Sequence, residues 1–101
     1  NTMNEQEEAK KVGQELVLRV QILSSPTRYD LKSSRFSGLP NPWEYIDNGT
    51  YKYTTGKFST IDEATDLQRE MRKKGYSGAF VVAFINGERV PLSKAREILE
   101  K

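Results

Sequence analysis

The feature that most confines this chain is the dipeptide Asn48-Gly49, set between two strand-like runs, Trp43-Glu44-Tyr45-Ile46 and Tyr51-Lys52-Tyr53-Thr54-Thr55-Gly56. Asn-Gly suits a two-residue type I′ turn, because both central residues must take positive φ and these two do so at least steric cost. A two-residue loop fixes the pairing: Ile46 faces Tyr51, Tyr45 faces Lys52, Glu44 faces Tyr53 and Trp43 faces Thr54. Partners share a sheet face. Trp43, Tyr45, Lys52 and Thr54 therefore lie together, opposite Glu44, Ile46, Tyr51, Tyr53 and Thr55. Each set carries aromatic rings, so the pattern leaves open which is buried, and a different loop length would flip one strand. Asn48-Gly49-Thr50 also spells a glycosylation sequon, but the turn accounts for it with fewer assumptions.

The other elements follow from periodicity. Leu16-Val17-Leu18-Arg19-Val20-Gln21-Ile22-Leu23 alternates, with Leu18, Val20 and Ile22 on one face and Arg19, Gln21 and Leu23 on the other. Ser24-Ser25-Pro26 ends it. Residues 27–42 have no clean period, and Phe36 and Leu39 read as loop anchors. Thr60 with Glu63 makes a capping box, Ser59 with Asp62 an alternative one. Ile61, Ala64, Leu67 and Met71 then form a helical stripe. Acids in its first turns and Arg72-Lys73-Lys74 in its last complement the helix dipole, and Gly75 stops it. Residues 79–85 read as an apolar strand covered on both faces, turned back at Asn86-Gly87, and residues 91–100 as a closing helix through Leu92, Ala95, Ile98 and Leu99. Residues 1–15 read as a linker or frayed helix ahead of a domain over 16–101.

Composition excludes much chemistry. The chain has 101 residues, no Cys and no His, which removes thiolate nucleophiles, Cys/His zinc sites and Ser-His-Asp triads. A net charge of +2 is too small to argue for nucleic acid. The longest apolar run, residues 79–85, falls well short of the roughly 18–20 residues that cross a bilayer. Neither a metal nor a cofactor is expected, and binding is a better expectation than catalysis.

The succession of elements is that of a βαββαβ chain. The expected fold is α+β: a ferredoxin-like, antiparallel, four-stranded sheet with helices on one face, its first helix short or missing, and an extra C-terminal helix. The other face of such a sheet is left open, and function is expected there.

Leu18-Arg19-Val20-Gln21-Ile22 and Tyr51-Lys52-Tyr53-Thr54-Thr55-Gly56-Lys57-Phe58 resemble the two copies of the SPOR (sporulation-related) domain motif, roughly Tyr-Arg-Val-Gln-Val-Gly-x-Phe. The second copy is followed, as in that family, by Ser59-Thr60-Ile61-Asp62-Glu63-Ala64 opening a helix and Met71-Arg72-Lys73-Lys74-Gly75-Tyr76 closing it. The first copy ends in Leu23-Ser24-Ser25 in place of Gly-x-Phe, and residues 27–42 depart from the family's first helix. The last strand with its Asn-Gly hairpin resembles a variant at the C-terminal ends of Bacteroidetes N-acetylmuramoyl-L-alanine amidases.

The resemblance implies a non-catalytic module of the periplasm or cell envelope, monomeric when isolated, with any targeting segment outside this sequence. It would bind peptidoglycan glycan strands stripped of stem peptides through the open sheet face and direct an attached cell-wall enzyme or division protein to them. It implies that Arg19, Gln21, Lys52 and Thr54 face outward, with Gln21 and Ser24 at the family's glycan-contacting positions. The hairpin pairing then brings Trp43 and Tyr45 out beside them. Indole and phenol rings suit the apolar C–H faces of pyranoses; Gln21, Ser24 and Thr54 suit hydroxyl and acetamido groups; Arg19 or Lys52 suits a muramic acid carboxylate. Competing readings are an RNA-binding domain, suggested by Gly78-Ala79-Phe80-Val81-Val82-Ala83-Phe84, a protein-docking domain, and a glycosidase using Asp30, Glu44 or Asp47. The first lacks basic excess; the last lacks an evident cleft.

Overall fold

A computed structural model describes residues 15–100. The linker or frayed helix expected over residues 1–15 lies, apart from Glu15, outside the described residues. Five strands are present: β1 (Leu16–Ser25), β2 (Trp43–Asp47), β3 (Thr50–Phe58), β4 (Phe80–Ile85) and β5 (Glu88–Val90). They form a single antiparallel sheet in the order β2-β3-β1-β4-β5. Two α-helices, α1 (Ile61–Lys73) and α2 (Leu92–Leu99), accompany them. Among the described residues no helix is long and apolar enough to cross a membrane.

Both hairpins turn on Asn-Gly. Asn48 and Gly49 have φ of 52° and 74°, Asn86 and Gly87 φ of 52° and 83°, so all four occupy the positive-φ region a type I′ turn requires. The pairing across the first hairpin is the one its sequence dictates, from Trp43 opposite Thr54 to Ile46 opposite Tyr51. The capping box forms in the Thr60 register: the Thr60 hydroxyl oxygen accepts from the Glu63 amide at 3.2 Å and the hydroxyl donates to the Glu63 carboxylate at 2.8 Å.

The four-stranded ferredoxin-like sheet expected from the sequence does not form. Asn86-Gly87 returns the chain tightly enough for Glu88–Val90 to pair with β4 as a fifth strand. The crossover from β1 to β2 holds only a 3₁₀ turn, Ser34–Phe36. Pro26, Pro40, Pro42 and Gly38 bracket that segment, and Ser33, Ser34 and Ser37 are poor helix-interior residues. The crossover still covers the helix-side face of β2 and β3. Phe36 stacks on Tyr53 at 5.1 Å, Tyr29 packs on the same ring at 5.7 Å, and the Tyr53 hydroxyl accepts from the Tyr29 amide and donates to Glu44.

Beneath the two helices the buried residues are aliphatic and mostly small, with Phe58 and Tyr76 packed at their margin. Leu18, Ala64, Ala83 and Ala95 form one cluster, and Val20, Leu67, Met71 and Ala79 another. The alanines let α1 and α2 come close to the sheet.

The β1–β3 ladder shifts register twice, between Leu18 and Val20 and between Gln21 and Leu23. At the first shift the extra residue lies on β3, where Gly56 takes φ of 84°. At the second it lies on β1. Bulges bend and further twist the strands that carry them. The sheet accordingly curls, concave on the side away from the helices, until β2 meets β4: Trp43 and Phe84, on strands separated by two others, touch edge to face at 4.9 Å between centroids. The second bulge also corrects one facing. Leu23 pairs with Tyr53 rather than staying on the face of Arg19 and Gln21, and Ser24 pairs with Lys52, itself opposite Tyr45.

Candidate functional site

The ring cluster of the concave face is built from alternate residues of four strands. β1 supplies Arg19 and Gln21, β2 supplies Trp43 and Tyr45, β4 supplies Phe84 and β5 supplies Arg89. Trp43 and Tyr45, two residues apart on β2, are near-parallel, 21° between planes and 6.0 Å between centroids. The Phe84 ring, buried beneath them, stands edge-on to both. Offset and T-shaped arrangements such as these are the favoured aromatic geometries. Trp43 and Tyr45 are half-buried, so each still presents surface to solvent.

Polar side chains lock the rings in place. The Arg19 guanidinium lies 4.5 Å from the Trp43 ring centroid and donates to the Gly56 carbonyl at 3.1 Å. Burial lowers its pKa from the ordinary guanidinium value, since desolvation penalises the charged form. The Tyr45 hydroxyl donates to Oε1 of Gln21 and accepts from Arg89 at 3.0 Å, tying an edge strand at one side of the sheet to the edge strand at the other. Burial raises the Tyr45 pKa, against a smaller lowering by Arg89. Between the two edges runs a groove of about 440 Å³ bordered by Trp43, Tyr45, Asp47, Gly87, Glu88 and Arg89. A smaller depression of about 170 Å³ lies at Gln21, Ser24 and Phe80, where β1 runs on past the start of β4.

The residues singled out in the sequence separate into three groups. Arg19, Gln21, Trp43 and Tyr45 are brought into direct contact with one another. Ser24, exposed, and Lys52, half-buried, align with Tyr45 across the ladder and extend the same face. Thr54 is fully buried and its hydroxyl donates to the main-chain carbonyl of Trp43, so it holds the β2–β3 pair and offers nothing to a ligand. Gln21 is only 7% exposed and acts through the tyrosine it anchors.

The acids considered for glycoside hydrolysis are not assembled. Glu44 lies on the crossover side, bonded by Arg28 at 3.2 Å and by the Tyr53 hydroxyl at 2.9 Å. Asp30 accepts from the Lys32 amide in a turn. Only Asp47 reaches the groove.

Sequence reasoning missed Phe84 and Arg89. The signal was present: applied to Asn86-Gly87, the arithmetic used for the first hairpin sets Arg89 opposite Phe84, as observed. What hid them was the unbroken apolar run of residues 79–85, which shows no alternation. The protein matches no family model, no curated protein and no solved structure.

Proposed function

We propose that this domain is a non-catalytic carbohydrate-binding module of the bacterial cell envelope that holds peptidoglycan glycan strands, bared of their stem peptides, in the groove of the concave face. In that role it would direct an attached cell-wall enzyme or division protein to its site of action. The observation that carries the reading is the half-exposed, near-parallel Trp43–Tyr45 pair at the edge of the 440 Å³ groove. A pyranose presents an apolar C–H face that stacks on such rings, while its hydroxyl and acetamido groups call for planar donors and acceptors at the rim. The guanidinium of Arg89 and the carboxylate of Asp47 supply these beside the aromatic pair, and Lys52 and Ser24 continue the polar strip along β3 and β1. The motif resemblance in β1 and β3 points to the same ligand.

Co-sedimentation with amidase-stripped sacculi tests the proposal. Trp43→Ala is expected to lower binding at least tenfold while cooperative unfolding is retained, and Gln21→Ala to lower it less, by freeing the Tyr45 ring. Binding should survive chelation and weaken only modestly with salt, whereas an RNA ligand would give a steep salt slope. Undiminished sedimentation of both variants would contradict the assignment.

A further inference from the structure

The concave face carries three cations, Arg19, Lys52 and Arg89, and among the described residues none of them is in an ion pair; the two ion pairs present, Arg28–Glu44 and Arg69–Asp66, lie elsewhere. Arg89 is the most available of the three. It is exposed, borders the groove, and its guanidinium makes a single hydrogen bond, to the Tyr45 hydroxyl. A guanidinium has five donors in a fixed fork, so most of its hydrogen-bonding capacity is unspent and is held in position by the bond to Tyr45. The guanidinium carbon also lies 6.0 Å from the centroid of the Phe80 ring, at the outer limit of a cation–π contact.

We propose that Arg89 is the specificity-determining residue of the groove, and that it selects a sugar bearing a free carboxylate over a neutral one. This rests on the carbohydrate reading above. Arg–carboxylate pairs are commonly bidentate, with two parallel N–H···O bonds that give orientation as well as attraction. Placed beside an aromatic pair, such a fork fixes which sugar of an alternating chain occupies the platform. Asp47 and Glu88 border the same groove, and neither is paired with Arg89. They oppose a ligand with charge at every unit and tolerate one whose single carboxylate faces the guanidinium. The groove thus favours a chain with an acidic group on alternate sugars over a continuous polyanion.

The test compares three glycans by titration calorimetry: peptide-stripped glycan strands with their carboxylates intact, the same strands after carbodiimide conversion of those carboxylates to methylamides, and a neutral chitin oligomer. The unmodified protein is expected to bind the intact strands about tenfold more tightly than either neutral form, the worth of one charge-assisted hydrogen-bond pair. Arg89→Gln, which retains a donor toward Tyr45, should bind all three alike. Arg89→Lys should keep part of the preference, and Arg69→Gln, remote on α1, all of it. Tight binding of all three glycans by the unmodified protein would overturn the specificity assigned to Arg89 and leave the carbohydrate reading standing. An undiminished preference in Arg89→Gln would do the same, and binding of none would remove both.

Discussion

The two faces of this sheet solve the problem of burial differently. On the helix side, Leu18, Val20, Ala83 and Ala79 are covered by separate elements, α1 and α2, whose Ala64, Leu67, Met71 and Ala95 complete a mainly aliphatic core. On the concave side, among the described residues, no helix is laid over the strands. The sheet curls instead, so that rings from β2 and β4 and an arginine from β5 cover one another. The first arrangement maximises removal of apolar surface from water. The second buries Phe84 and leaves Trp43 and Tyr45 half in water, with hydroxyl, amide and guanidinium groups threaded between them. A face serving stability alone would gain from aliphatic replacements there. Hydrogen-bonded polar groups around half-exposed rings are the arrangement that the proposed binding role calls for.

Substitutions can break this comparison. Phe84→Ala is expected to have the largest effect, a loss of about 3–5 kcal/mol in urea unfolding, on the scale of Leu18→Ala across the sheet. A loss below about 1 kcal/mol would mean that the concave rings are not packed as a core at all. Gly56→Ala comes next. A Cβ there would meet Leu67 Cδ2 and Phe58 Cε2, each at 2.6 Å, on a backbone already at φ of 84°, so a loss of about 2–3 kcal/mol is expected. Gly49→Ala, whose Cβ meets nothing within 4 Å, should cost only about 1 kcal/mol of backbone strain. Equal losses would show that the bulge does not depend on close packing beneath it.

Trp43→Ala should cost about 2 kcal/mol of stability, less than Phe84→Ala because the indole is only half-buried, and yet remove most glycan binding. Losses in the opposite order would identify the indole as the structural ring. Tyr53→Phe should cost about 1–2 kcal/mol at neutral pH, from the hydrogen bonds lost to Glu44 and from the Tyr29 amide. Its pH dependence is more telling. Burial raises the Tyr53 pKa, and burial likewise raises that of Tyr45. In the unfolded chain a phenol ionises near about pH 10. Stability is therefore fully present below that pH and declines as pH rises toward the folded-state values. Tyr53→Phe should make that alkaline decline shallower. An unchanged slope would mean that the phenol is not sequestered under the crossover.

The sequence carried the local geometry well. Asn48-Gly49 dictated the β2–β3 pairing residue by residue, and Thr60 with Glu63 placed the start of α1, because both depend on contacts between near neighbours. It did not carry the curl. That arises from the two register shifts between β1 and β3, which involve residues thirty or more positions apart and leave β1 itself reading as a regular alternation. The facing of Leu23 was lost for the same reason. The fifth strand was foreshadowed by Asn86-Gly87, but only three residues follow that turn before Pro91, too few to show a period. Thr54 looked like an exposed hydroxyl because alternation reports the face of the sheet and not what curls over it.

Titration of the isotopically labelled domain with peptide-stripped glycan strands, followed by NMR at the single indole N–H and at the arginine Nε–H groups, addresses the central claim most directly. Concentration-dependent shifts at Trp43, Arg19 and Arg89, with α1 and α2 unmoved, are the expected result. Shifts confined to the helices, or none at glycan concentrations that saturate sedimentation, would show that the concave face is not where the ligand lies.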